Sequence, residues 1–398
     1  MKIGILREEK KPFDKRVPLI PNQCKILLER YPNLQIVVQS SSHRCFSDIS
    51  YMDKNIEIVE NLHDCDILLG VKEVPIKSLI PNKTYLFFSH TVKKQEYNRH
   101  LLCKMIELGI RMIDYELLKD NHGKRIIGFG RYAGIVGAYN ALLCYGLKTG
   151  AYNLKPAYQC EGKSDLINEL KKLVLNNEKI IITGKGRVGE GIIEIIKMTN
   201  IKQVSINDFI TKKFHQPVFL HLDTMDYNVR IDSQKGDKND FYNNPRLYKS
   251  SFMDFAKHAD VFIAGHFYNA GSPYLFTRDD ANSDDFNIKV IADISCDIDG
   301  PVASTIRSST IKDPIYGYNP KTEKEDNFQD DGVIAVMAVD NLPCELPKDS
   351  SEDFGLVLLD DVIPLLFHNN HNIDAATICK DKELTSYFEY LRDFVNRF

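Results

Sequence analysis

A chain of 398 residues is too long for one typical hydrophobic core, so two or so domains are expected. With 43% hydrophobic and 27% charged residues it has an ordinary globular balance, and a net charge of −4 offers no footprint for nucleic acid. No apolar run has the length of a membrane span, and the charged N-terminus does not read as a signal peptide. Nine scattered cysteines without metal-ligand spacing indicate reduced thiols in the cytoplasm rather than a disulfide frame or a zinc site.

Lys2–Leu6 reads as a first strand, followed by a loop dense in cations from Arg7 to Pro18. Such a loop suits a carboxylate ligand, and it equally suits solvent. Pro21-Asn22 opens a helix to about Arg30, and Gln35–Val38 is a second strand. Asp66–Val71 and Thr84–Phe88 are strands that stop at Lys72-Glu73 and at Ser89-His90. Ligands of open α/β sheets bind at the carboxyl ends of strands, which makes Lys72 and His90 candidates for a facing acid–base pair. The plain alternative is a surface lysine and an unrelated strand-end histidine. Ile110–Tyr115 is a fifth strand with Glu116 at its end. Strands and helices alternating over residues 1 to about 130 indicate a doubly wound sheet.

Residues 124–150 run from an apolar start through Gly128 and Gly130 into a series of small residues. Helical spacing puts Gly134, Gly137, Ala138 and Ala141 on one face, where another backbone can approach closely. The reading is a buried helix crossing from one domain into the next, with catalytic groups at its start; an ordinary core helix has the same spacing. A further helix is expected over about 166–176.

The strand Ile180–Thr183 then leads directly into Gly184-x-Gly186-x-x-Gly189 and a helix, the dinucleotide fingerprint in its required context. The glycines give the turn, the close approach to pyrophosphate and the tight helix packing, and the helix N-terminus favours anions. A strand over Gln203–Ile206 would end in Asn207-Asp208, placing Asp208 roughly 20 residues on, where the ribose-binding acid is expected. An acid there favours NAD over NADP.

Residues 211–250 read as an irregular insertion or lid. A helix over Ser251–Ala259 follows. Asp260–Ala264 and Lys289–Asp293 are strands ending near His266 and Ser295, both facing the nicotinamide side. A polar link at 320–331, an apolar run Gly332–Val339, a helix over about 350–368 and a terminal helix over about 382–397 complete the chain. The tail is expected to return to the first domain. The expected division is 1–135 plus 332–398 for a substrate domain and 136–331 for a dinucleotide-binding domain.

Several motifs carry a family resemblance over nearly the whole length. The broader set is Leu6-Arg-Glu-Glu9 with Lys15-Arg-Val-Pro18, Val71-Lys-Glu73 and the central fingerprint. The narrower set is Phe129-Gly-Arg-Tyr-Ala-Gly134, Asp293-Ile-Ser-Cys-Asp297 with Ser308–Pro314, and Val339-Asp-Asn-Leu-Pro343 with Glu345-Leu-Pro347. The chain resembles the lysine-forming saccharopine dehydrogenases and the related lysine–ketoglutarate reductase domain, and more distantly alanine dehydrogenase and the nucleotide-binding part of transhydrogenase.

That resemblance implies an α/β fold of two doubly wound, Rossmann-like domains with a cleft between them. It implies Lys72 and His90 as the acid–base pair, with Glu73 and Glu116 tuning their charge. Substrate contacts fall on Arg16 and Arg125, with Lys11, Lys93, Gln95 and Phe129 beside them. Cofactor contacts fall on Gly184, Gly186, Arg187, Val188, Gly189, Asp208, His266, Asp293 and Ser295. Asp208 aligns with the selecting acid only within one residue, which keeps NADP in view beside NAD. The implied reaction oxidises saccharopine with NAD and water to L-lysine and 2-oxoglutarate, reversibly, with no nucleic-acid or membrane partner. An alanine-type amino-acid dehydrogenase and a catalytically idle nucleotide-binding module are the competing readings.

Overall fold

A computed structural model describes residues 1–269 and 271–396. The chain forms two compact units: Met1–Phe129 with the residues from Pro347 onward, and Gly130–Leu346.

The first unit is built on an eight-stranded sheet. Its order is Glu383–Leu384, Thr377–Lys380, Arg111–Asp114, Thr84–Phe87, Ile67–Leu69, Lys2–Ile5, Gln35–Gln39 and Glu57–Val59. The six strands that come first in the chain pair in parallel. Alternate residues of one strand serve opposite cores: Ile36 and Val38 join the cluster holding Leu86 and Phe354, while Val37 joins that of Phe87 and Leu102. Burial on both faces explains the near-continuous apolar runs. Pro21–Arg30 is helical as expected, with Pro21 in the first turn and the Gln23 side chain accepting the Ile20 N–H at 3.0 Å.

The tail returns to this unit. The helix Pro347–Val357 gives way to a wider turn at Leu358–Val362 and a short helix Ile363–Leu366, with Pro364 unable to donate into a regular ladder. The expected terminal helix is cut down to Arg392–Val395, and residues 397 and 398 lie outside the described set. Ahead of it, Thr377–Lys380 pairs antiparallel with Arg111–Asp114 and extends the sheet.

The second unit is also built on eight strands. Their order is Lys324–Asp326, Ile315–Asn319, Ile334–Met337, Val290–Asp293, Val261–Ala264, Lys179–Thr183, Val218–Leu222 and Lys202–Gln203. Three expectations are corrected here. Residues 332–346 belong to this unit, because Ile334–Met337 is buried throughout and pairs with both Val290–Asp293 and Ile315–Asn319. The polar stretch 320–331 is an edge hairpin rather than a link, with exposed Lys324–Asp326 paired to Ile315–Asn319. The segment 211–250 is not an irregular lid: Val218–Leu222 pairs in parallel with Lys179–Thr183, the fingerprint strand itself. The expected helix over 166–176 forms earlier, as Lys163–Glu169.

The helix Gly130–Thr149 lies wholly in the second unit, which begins at its first residue, so it does not straddle the two. It crosses Arg187–Ile196 at backbone contact distance. A Cβ on Gly134 would stand 2.0 Å from the Val188 carbonyl oxygen, and one on Gly191 would stand 2.0 Å from that of Arg131. Among the described residues no helix is long and apolar enough to cross a membrane.

Gly134→Ala should therefore destabilise the protein. The obstructing atom is backbone, so relief requires the helices to separate, and overpacking of this kind costs about 1–3 kcal/mol or more. Denaturant unfolding of the variant reads the loss; unchanged stability would show that the helices can part freely.

Candidate active site

In the first unit the carboxyl ends of neighbouring strands carry a knot of charged groups. Glu73, just past Ile67–Leu69, is 7% exposed in its side chain and lies 2.7 Å from Lys10 Nζ and 3.0 Å from His90 Nδ1. Burial opposes ionisation there, yet the hydrogen bonds from His90 and Lys10 hold the Glu73 carboxyl down at about 2. An ionised carboxylate only accepts, so Nδ1 of His90 carries the hydrogen of this bond. That leaves Nε2 as the ring atom able to exchange a proton. His90 itself is in the left-handed region (φ 53°). Ser89 N–H and Oγ both donate to buried Asp114, at 3.0 and 2.5 Å. The Ser89 hydroxyl also contacts that of Thr91.

Arg16 is 3% exposed, which removes the solvated-loop alternative. Its Nε and Nη2 fork onto Asp14 at 3.0 and 2.6 Å, and its guanidinium stacks 4.1 Å from the centre of the Phe129 ring. Burial would raise Asp14, but the Arg16 charge and hydrogen bonds hold it at about 2. Phe129 in turn stacks on Phe354 of the returning tail, with ring centres 4.5 Å apart. Arg125 approaches Glu116 at 3.6 Å and lies over Phe88. The Lys72 charge is felt at Asp14, and its backbone N–H is bound by Glu8. Lys11, Lys93 and Gln95 are exposed, with Lys11 over Phe13 and Gln95 accepting from Tyr97. Sequence reasoning missed Lys10 and Glu8, because one member of a Lys-Lys or Glu-Glu pair looks like the other.

The second unit presents the glycine loop. Gly184 has φ +92° and donates to the Leu222 carbonyl, and a Cβ on it would strike the Gly265 oxygen at 2.4 Å. A Cβ on Gly189 would stand 1.9 Å from the Gly184 oxygen, so both glycines are required by packing. Gly186 differs: a Cβ there meets nothing within 4 Å. Space at the N-terminus of the helix Arg187–Ile196 fits a pyrophosphate held by backbone N–H groups. Arg187 and Val188, its first two residues, are half-buried.

Asp208 is not where its spacing placed it. Lys202–Gln203 ends early, Ser205 caps a helix over Ile206–Thr211, and Asp208 lies in its first turn, 2.8 Å from Lys212. That strand is also an edge, one place removed from the fingerprint strand. The acid following the true neighbour is Asp223, directly after Leu222, which pairs with Thr183. Asp223 lies 2.7 Å from Lys238. Burial works against its charge, but Lys238 and the Thr224 N–H hold its carboxyl below the usual range. A five-residue strand with His221 inside a charged window carries no strong periodic signal.

His266 is buried, with Nδ1 2.8 Å from the Thr183 hydroxyl and Nε2 without a hydrogen-bond partner. Burial pushes its ring down to about 4, so it is neutral. Asp293 is fully buried and turned onto its own loop: it accepts from Ser295 N–H and Oγ, from Cys296 N–H and from the Thr305 hydroxyl. Burial raises its carboxyl to about 6. Asp293 therefore shapes the loop that carries Ser295.

Residues 4–136 match the family described as alanine dehydrogenase/PNT, N-terminal domain. The chain is 30% identical to alpha-aminoadipic semialdehyde synthase of Arabidopsis thaliana over 98% of its own length. It spans 41% of that protein. It is 24% identical to the Yarrowia lipolytica protein named saccharopine dehydrogenase (NAD(+), L-lysine-forming), over 90% of this chain and 91% of the other. In fold it is similar to an L-alanine dehydrogenase, with a TM-score of 0.66 at 14% identity, covering 99% of this chain and 100% of that one. These matches agree with the resemblance carried by the motifs.

Glu73 gives a pH test. Its folded value of about 2 lies below the usual 4.5, so its stabilisation is fully present above that value and is lost as pH falls toward 2. Glu73→Gln should cost on the order of 3 kcal/mol at pH 7. The gap between variant and wild type should narrow as unfolding is measured at successively lower pH below 4.5. A gap independent of pH would mean that the carboxylate is not held by charge.

Proposed function

We propose, on the premise that residues 4–136 form an alanine dehydrogenase/PNT N-terminal domain, that this chain is an NAD-dependent oxidoreductase acting on the CH–NH group of saccharopine. The products are L-lysine, 2-oxoglutarate and NADH, and the reaction runs both ways. The observation that carries the proposal is the Glu73 knot: a buried carboxylate orients His90 and Lys10 at the strand ends next to Lys72. A buried arginine, Arg16, lies in the loop after the first strand. Saccharopine has three carboxylates, and guanidinium groups suit them.

NAD, when bound, supplies the acceptor for the two electrons of C–N oxidation. Lys72 takes the proton of the secondary amine. His90, with Nδ1 fixed by Glu73, uses Nε2 to take a proton from the water that adds to the imine carbon. Lys72 gives its proton back to nitrogen as water adds, His90 returns its own to nitrogen as the C–N bond breaks, and the hydroxyl proton passes to Lys72 as the carbonyl forms, so that one proton is released per turnover. Arg16 and Arg125 neutralise substrate carboxylates, with Phe129 holding the Arg16 plane. Gly186 and the helix N-terminus behind it would hold the pyrophosphate, and Asp223, in place of Asp208, the adenosine ribose hydroxyls. His266 and Ser295 would lie toward the nicotinamide. The enzyme acts in the cytoplasm, with all nine cysteines as free thiols.

The deciding assay is NADH oxidation with 2-oxoglutarate against a panel of amines. Turnover should require L-lysine and 2-oxoglutarate together; turnover with pyruvate and ammonia instead would make the chain an alanine-type dehydrogenase.

Two variants test the site. Asp223→Ala should weaken NADH binding in a fluorescence titration by about tenfold and narrow the preference over NADPH. Asp208→Ala should leave both unchanged, and the reverse result would return the ribose to Asp208. Arg16→Lys should raise the Michaelis constant for 2-oxoglutarate or saccharopine roughly tenfold or more, since a lysine cannot keep a bidentate fork. NADH affinity should hold, and unchanged kinetics would remove Arg16 from the site.

A further inference from the structure

Glu8 accepts two consecutive main-chain N–H groups on another strand's turn. Oε1 accepts the Val71 N–H at 2.6 Å and Oε2 accepts the Lys72 N–H at 2.9 Å. Both donors lie where Ile67–Leu69 has ended, and the ladder no longer supplies acceptors for them. Gly70 leaves room for this arrangement: a Cβ there would stand 3.5 Å from Glu8 Oε1 and 3.3 Å from the Leu6 side chain. The adjacent Glu9 makes none of these bonds, pairing instead with Arg7 and the Ser78 hydroxyl.

We propose that Glu8 is a positioning residue: by spanning the two N–H groups it fixes the turn that carries Lys72 and keeps the Lys72 ammonium in the field of Asp14. The geometry is that of a carboxylate bridging consecutive amides, which defines the direction of the next side chain more tightly than one bond would. Burial and the nearby Asp14 push the Glu8 carboxyl up to about 8, against the pull of the two N–H groups. The role rests on the reading of Lys72 as the amine-side base.

Glu8→Gln keeps the shape but turns an NH2 group toward one of the N–H donors, so one bond is lost. Released from the clamp, Lys72 moves away from Asp14 and its amine becomes more accessible to an electrophile. Two measurements follow from this. In steady-state kinetics kcat should fall at least about tenfold, while the Michaelis constant for NAD stays within about twofold. In limiting acetic anhydride labelling at pH 8, read by mass spectrometry, acetylation of Lys72 relative to the other lysines should rise at least about threefold. Glu9→Gln, the neighbouring control, should change neither. If Glu8→Gln does not fold, Glu8→Asp carries the same measurements, because its shorter arm cannot reach both N–H groups. Wild-type kcat together with wild-type Lys72 labelling overturns the proposal. If the native protein consumes no NADH with L-lysine and 2-oxoglutarate, the reading of its activity falls, and the labelling ratio still decides whether Glu8 holds Lys72.

Discussion

Asp14, Glu73 and Asp114 are all buried at the strand ends of the first unit, and each is answered by a group from a loop beside it. Asp14 holds Arg16, Glu73 holds Lys10 and His90, and Asp114 holds Ser89. A buried carboxylate without such partners would cost several kcal/mol. The loops after the first, fourth, fifth and sixth strands are therefore locked to one another, and the lock fixes the side chains offered for chemistry. Lys10 and His90 are tied to the same carboxylate, so neither can move without disturbing the other. The aromatic stack Arg16–Phe129–Phe354 extends the constraint into the tail.

In the second unit the governing constraint is steric. Helix Gly130–Thr149 approaches Arg187–Ile196 so closely that Gly134 and Gly191 have no room for a methyl group. The same holds for Gly184 and Gly189 in the turn. These contacts set the height at which the N-terminal N–H groups of the second helix stand above the sheet. Of the three fingerprint glycines, Gly186 alone is free of packing demands, and it is the glycine whose bareness a ligand would use.

Much of this is legible in the order of the amino acids alone. The strands of the first unit follow from runs such as Ile-Val-Val and Ile-Leu-Leu, because burial on both faces leaves no polar residues to blur them. The small-residue face of the central helix and the tight glycines of the fingerprint follow from spacing. What escapes such reading is topology. The rule that the ribose acid lies about 20 residues past the last glycine assumes that the next strand in the chain is the next in the sheet. Here a two-residue edge strand comes first, and the true neighbour, Val218–Leu222, follows a helix and a proline in a charged segment. Asp208 and Asp223 look alike in the sequence; only the pairing of Leu222 with Thr183 tells them apart. Lys10 and Lys11 pose the same difficulty at shorter range. Both are lysines in one loop, and only the direction of the backbone decides which reaches Glu73.

The first unit is discontinuous: Arg111–Asp114 pairs antiparallel with Thr377–Lys380, and Phe129 stacks on Phe354. The second unit is a single uninterrupted stretch, Gly130–Leu346. As the polypeptide leaves the ribosome, that stretch can fold while the earlier segment still waits for the last part of its sheet. Since domains fold as units during synthesis, Gly130–Leu346 can mature before Met1–Phe129 has its full sheet. Until the tail emerges, the Arg111–Asp114 strand is an uncovered edge, and nascent chains are most exposed to one another along it.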